Sequence, residues 1–300
     1  MLQCAYILIV CACGLDIGEF SFFAADVDGM LTDARATRRG IIALRHFAPG
    51  DTVMSISLDS AFSIDQMHRS KINHLVPVFR GLGMDDMAIL IVTLMYVSFL
   101  ILPPLLAILN DPFHMYEYSN PPSAWDAYLC TIPSSFTTTL YWPEAQLLDA
   151  VSIAPRLREF TDFRKHQFAS NFLQHIPHLI KRYPLHFPAS FFNFQNYVWA
   201  ATASLSRSWS VDAPNAAGPS DNKPTFIMAP VLDLVNHQLA SNHASLDARG
   251  RKFSIIAGPR GINEGTEVLL SYGRKCNAKL LADYGFAEAQ IGSNALPECE

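Results

Sequence analysis

The segment Asp233-Leu-Val-Asn236-His237, together with Leu270-Ser-Tyr272-Gly273-Arg-Lys275-Cys-Asn277-Ala-Lys-Leu-Leu-Ala-Asp283-Tyr284-Gly285-Phe286 further on, decides how this chain is read. The first part sets three polar residues into an apolar run entered through Met228-Ala-Pro230. In the second, a strand pattern over residues 266–272 ends in a tyrosine and then gives way to helical spacing. Asn277 is placed to cap a short helix over the following AKLLADY, and Gly285 stands where a C′ glycine belongs. Singly, these features are ordinary. An Asn-His pair after a strand is usually a capped turn or a satisfied buried pair, and a strand-end tyrosine is usually packing. Their order and spacing point beyond packing.

Upstream, residues 40–58 (GIIALRHFAPGDTVMSISL) read as two short strands around a Pro49-Gly50 turn. From about Met84 to Trp209 the spacing becomes helical, as in Ala145-Leu147-Leu148-Val151 and Phe168-Phe172-Leu173-Ile176. The polar stretch from Asp212 to Lys223 reads as a surface loop, after which strand patterns return at Phe253–Ala257. The layout is β, a long helical block, then β, which predicts an α+β protein with a helical insertion. The expected divisions are an N-terminal segment and first β part over 1–84, the helical insert over 85–225, the second β part over 226–290, and a tail over 291–300.

Composition narrows the class of function. Half of the 300 residues are hydrophobic and 16% are charged, so a folded core is expected. A net charge of −5 carries no basic footprint for nucleic acid, and no nucleic-acid partner is expected. None of the six cysteines forms a Cys-x-x-Cys pair, which predicts reduced thiols in an intracellular protein, cytoplasmic or nuclear, with an organelle left open. A metal site on His237 and His243 lacks an agreed third ligand, so no metal is expected. The apolar residues 2–13 have no basic n-region or clean cleavage site. Met87 to Leu109 has the length of a membrane span, but Pro103-Pro104 interrupts it and no Lys or Arg flanks it closely. A helix buried on all sides reads the same way, and membrane insertion is not the expectation.

The series Asp-x-x-Asn-His, then Ser-Tyr-Gly-x-Lys-x-Asn-x-x-Leu-Leu-x-x-Tyr-Gly-Phe, resembles the C-terminal half of a SET domain. Within that family it is similar to the branch of the Rubisco large-subunit lysine methyltransferase and the actin-histidine methyltransferase. Ser123-Ala-Trp125-Asp-Ala-Tyr128-Leu-Cys-Thr-Ile132-Pro133, Trp199-Ala200 with Ser206-Arg207-Ser208, and Arg39-Gly40-Ile41-Ile42-Ala43 with Pro49-Gly50-Asp51 extend the resemblance over about residues 36–287. It implies a SET β-fold, threaded as a pseudoknot and interrupted by a helical insert, with Arg39–Asp51 as its first hairpin.

By the same resemblance, the activity is S-adenosylmethionine-dependent methylation of a side-chain nitrogen on a non-histone protein, with lysine as acceptor. Tyr272 becomes the catalytic tyrosine. Arg207 falls to the cofactor's carboxylate, where a guanidinium offers a charged two-point fork. Asn236 and His237 fall to its amino-acid part and adenine, with Arg39, Asp233, Tyr284, Gly285 and Phe286 beside them. Departures from the family pattern are Gln238 after Asn-His, Cys276 between Lys275 and Asn277, and Thr37-Arg38-Arg39-Gly40 in place of a glycine-richer turn. Two alternatives stay open at this stage: a histidine acceptor, and an inactive SET scaffold that binds a partner through the insert.

Overall fold

The computed structural model describes residues 22–26, 39–69, 72–101, 125–129, 131–152, 154, 156–211, 225–239, 244–247, 252–288 and 299. The predicted loop at 212–223, residues 102–109 of the apolar segment, and His243 lie outside them. The chain is an α+β protein that divides into two compact units. The first comprises residues 1–62, 209–276 and 288–298, and the second residues 63–208, 277–287 and 299–300.

The first unit holds the β-structure. Strands β1 (Phe22–Asp26) and β2 (Arg39–Ala43) form an antiparallel pair. Strand β3 (Thr52–Ser57) pairs instead with β9 (Lys252–Ala257), in a five-stranded sheet of order β3-β9-β8-β10-β7. There β7 is Asn236–His237, β8 Ala244–Asp247 and β10 Leu269–Leu270. Strand β6 (Thr225–Met228) runs between β4 (Phe62–Ser63) and β5 (Ser208–Val211). Ile41, Val53, Ile56, Phe253, Ile255, Val268 and Leu270 share one core with Val231, Leu234 and Val235.

Two predicted features differ. Strands β2 and β3 both form, yet they do not pair as a hairpin. The residues between them are committed elsewhere: Phe47 is buried and bridges Ile262, exchanging backbone hydrogen bonds of 2.9 Å in both directions. The long strand expected at 266–272 shrinks to Leu269–Leu270. Glu267 makes only an isolated bridge to Ile42, and the Tyr272 N–H bonds to a side chain rather than to a strand.

The second unit is helical. It contains α1 (Val76–Gly81), α2 (Asp86–Ile101), α3 (Asp126–Leu129), α4 (Glu144–Val151), α5 (Arg156–Arg182), α6 (Phe194–Arg207) and α7 (Asn277–Tyr284). Helix α2 is the apolar segment read as buried on all sides, and residues 88–97 are buried without a break. Among the described residues no helix is long and apolar enough to cross a membrane. Helix α6 opens on Asn193, whose side chain accepts from the Asn196 N–H at 3.0 Å and satisfies an orphan donor of the first turn.

Candidate active site

The approach to Asp233 is a strained turn. Val231 sits at φ 70°, a conformation that β-branched residues avoid, and its side chain is buried in the core. Such backbone costs of order 1–3 kcal/mol and persists only where its surroundings over-determine it. The chain then makes one 3-10 turn, Leu232–Leu234, that carries Asp233, itself buried. Val235 straightens the backbone into β7, where Asn236 and His237 lie parallel to Leu269 and Leu270 of β10.

This register brings the strand-end tyrosine back over the Asn-His pair. The Tyr272 N–H donates to His237 Nδ1 at 2.9 Å, and the two rings stack at 5.0 Å with an interplanar angle of 29°. The Tyr272 hydroxyl donates to the Val235 carbonyl at 2.6 Å. Lys275 Nζ donates to the Tyr272 carbonyl, and Gly273, at φ 94°, permits the tight turn between them. The half-buried Asn236 donates from Nδ2 to Glu267 Oε1 at 2.7 Å. Burial pushes the His237 imidazole below its usual pKa; Lys275 adds to that shift, while Glu288 and the Leu270 carbonyl oppose it. The first unit thus joins His237 and Tyr272 by a hydrogen bond and a ring stack, with Asn236 beside His237 on β7 and bound to Glu267, and Asp233 one turn upstream. Arg39 opens β2 in the same unit, and its side chain lies outside the described residues.

Arg207, Tyr284, Gly285 and Phe286 belong to the second unit. Arg207 is the last residue of α6, a cation at a helix C-terminus, and is half-buried. Tyr284 ends α7, its ring 6.1 Å from that of Phe286. Burial raises the Tyr284 hydroxyl to about 12; the Asp283 charge adds to the rise and Arg164 opposes it. Gly285 takes φ 82° and its N–H returns to the Leu280 and Leu281 carbonyls at 3.0 and 3.2 Å, the expected C′ geometry. A Cβ at this position would meet the Thr138 nitrogen at 2.8 Å, so no other residue fits without movement. The turn is anchored by Asp283, bound in a fork by Arg164 Nε at 2.6 Å and Nη2 at 2.9 Å.

Sequence reasoning passed over several partners: Glu267, Glu288, Arg164 and the Val235 carbonyl. Each acts from far along the chain or through its backbone, so no local pattern marks it. One expectation is corrected. Cys276 and Cys299, the described cysteines, are disulfide-bonded rather than reduced. Sequence spacing registers a Cys-x-x-Cys pair and is blind to a bond closed by the fold.

The fold has solved counterparts. The chain superposes on the SET domain of LSMT bound to MeLysine and AdoHcy with a TM-score of 0.66, covering 97% of this chain and 57% of that one at 19% identity. Its fold is the SET fold. A second structure, of Rubisco LSMT bound to AdoMet, aligns with the same SET fold at a TM-score of 0.58, 17% identity, and coverage of 96% and 57%. In sequence, the chain is 24% identical over 179 residues to an actin-histidine N-methyltransferase of Canis lupus familiaris, covering 58% of this chain and 29% of that protein. It is 26% identical over 167 residues to a ribosomal lysine N-methyltransferase of Schizosaccharomyces pombe, covering 55% and 28%. The matched stretch therefore spans less than a third of these relatives. No family model matches the chain.

Proposed function

We propose that this SET chain is an S-adenosylmethionine-dependent protein methyltransferase that methylates a lysine side chain of a non-histone protein. The observation that supports this most is the setting of Tyr272. Its hydroxyl proton is committed to the Val235 carbonyl at 2.6 Å, so the oxygen's lone pairs are what it offers to an approaching nitrogen. Its backbone is clamped at the same time by His237 and Lys275. A hydroxyl oriented in this way can align an acceptor without reorganising during the reaction.

The chemistry of the residues suits the cofactor. Arg207 is a permanent cation for a carboxylate, Asn236 a half-buried amide for hydrogen bonding, and His237 an imidazole whose charged form burial disfavours. When bound, S-adenosylmethionine supplies an electrophilic methyl group. The protein's tasks are to strip water from the acceptor nitrogen, favour its unprotonated form and align it. A lysine has an ordinary pKa near 10.4, roughly, and must be neutral to attack; desolvation near a positive charge lowers that value. Tyr272 would then hold the nitrogen lone pair in line, while Arg39, Asp233, Tyr284, Gly285 and Phe286 contribute by resemblance to the cofactor and acceptor surroundings.

A histidine acceptor is the second reading, favoured by the curated actin-histidine N-methyltransferases among the relatives. The same hydroxyl could orient an imidazole nitrogen. Incubation with labelled S-adenosylmethionine and cell extract, followed by mapping of the modified residue, tests both. Label on lysine supports the proposal, and label on histidine selects the second reading. Cofactor binding without label marks an inactive scaffold, and absence of both overturns the reading.

A further inference from the structure

Glu288 lies two residues past Phe286, outside every motif, yet its carboxylate meets the group that holds Tyr272. Oε1 accepts the Leu239 N–H at 2.7 Å, which fixes the side chain. Oε2 then stands 3.8 Å from His237 Nε2, with the Glu288 side chain 14% exposed and that of His237 fully buried. The opposite ring nitrogen faces a choice. Nδ1 is 2.9 Å from the Tyr272 nitrogen, which can only donate to it, and 3.3 Å from the Leu270 carbonyl, which can only accept from it. A neutral imidazole carries one proton, so it can serve one of these neighbours and not both. With the proton on Nε2, Nδ1 accepts from Tyr272. With the proton on Nδ1, the ring donates to Leu270 and the Tyr272 N–H loses its acceptor.

We propose that Glu288 is a positioning residue for Tyr272: its carboxylate selects the Nε2–H form of His237, and that form holds the Tyr272 backbone, and through it the hydroxyl, in place. A carboxylate offers only lone pairs to Nε2 and so favours a proton there. The inference rests on the methyltransferase reading for its effect on turnover, whereas the effect on the ring stands apart from it.

Glu288→Gln gives an unusually clear test, because the amide oxygen can still accept from Leu239 while the amide NH2 now points a donor at Nε2. The substitution should therefore reverse the tautomer without emptying the space. Nitrogen-15 spectra of histidine-labelled protein, with the His237 signals assigned by their loss in His237→Gln, read the ring directly. The wild type should show Nε2–H and Glu288→Gln should show Nδ1–H. With the Tyr272 clamp released, kcat should fall about tenfold, the scale of one lost hydrogen bond. An Nδ1–H ring in the wild type overturns the proposal even if the variant does not fold. So does an unchanged tautomer in Glu288→Gln, or a reversed tautomer with wild-type kcat. If the wild type binds cofactor and transfers no methyl group to any protein, the enzymatic reading fails, and the spectra alone then decide whether Glu288 sets the ring.

Discussion

Tyr272 follows a two-residue strand in the first unit, whereas Tyr284 ends an eight-residue helix in the second. The Tyr272 end has almost no regular structure to support it. Its position comes from directed hydrogen bonds to His237, Val235 and Lys275. The Tyr284 end is held by burial, by a glycine C-cap, and by the Arg164–Asp283 fork whose side chains are 15% and 6% exposed. The contrast teaches where damage should appear. Breaking the fork should cost stability, while altering the Tyr272 hydroxyl should cost reaction rate and leave the fold intact.

The largest expected effect is therefore structural. Arg164→Ala leaves the Asp283 carboxylate buried without its cation and should destabilise the second unit by about 3–5 kcal/mol. Chemical denaturation measures this, and the double variant Arg164→Met with Asp283→Leu should recover most of it, because an apolar pair has no charge to desolvate. If the single variant is as stable as wild type, the fork is not what holds the Tyr284 turn.

Tyr272→Phe sharpens the other side of the contrast. It removes one oxygen and keeps the ring stacked on His237. Turnover should drop by about a hundredfold, the scale of one oriented donor or acceptor lost from a transition state. Cofactor affinity should hardly move, and thermal stability only slightly. Near wild-type single-turnover transfer would return Tyr272 to the role of packing.

Arg207→Ala should weaken S-adenosylmethionine binding by up to about 3 kcal/mol through loss of a charge-assisted pair. Calorimetric titration with unchanged affinity removes Arg207 from the cofactor's contacts. The smallest effect concerns acid. Burial depresses both His237 and His175 below the ordinary histidine value. The unfolded chain then takes up protons first as pH falls. Stability should be fully present above an unfolded pKa of about 6.5 and decline below it. Thermal melts between pH 7 and pH 5 should show a falling midpoint, flattened in His175→Asn. A midpoint independent of pH across that window contradicts the assignment.

Much of the first comparison was legible in the sequence. Asp233, Asn236 and His237 are close in the chain, Tyr272 ends a readable strand pattern, and Gly285 follows a helix of readable period. Local signals of this kind survive because a cap, a C′ glycine or a helical stripe is specified within a few residues. The hairpin expected around Pro49-Gly50 failed for the converse reason. Strand pattern predicts that β2 and β3 exist but does not choose their partners, and Phe47 and β9 made that choice from elsewhere in the chain.

By itself the sequence determined the α+β layout, a buried apolar helix starting near Met87, and the order of the Asn-His, Tyr and Tyr-Gly-Phe segments. Each depends on spacing along the chain. Only the tertiary structure decided that Tyr272 would donate its hydroxyl to Val235, that Glu267 would hold Asn236, that Glu288 would face His237, and that Arg164 would grip Asp283. The physical reason is common to all four. A carboxylate, a guanidinium or a carbonyl looks the same in sequence whether it meets water or a buried partner. The fold decides which it meets, by bringing together residues between 31 and 119 positions apart.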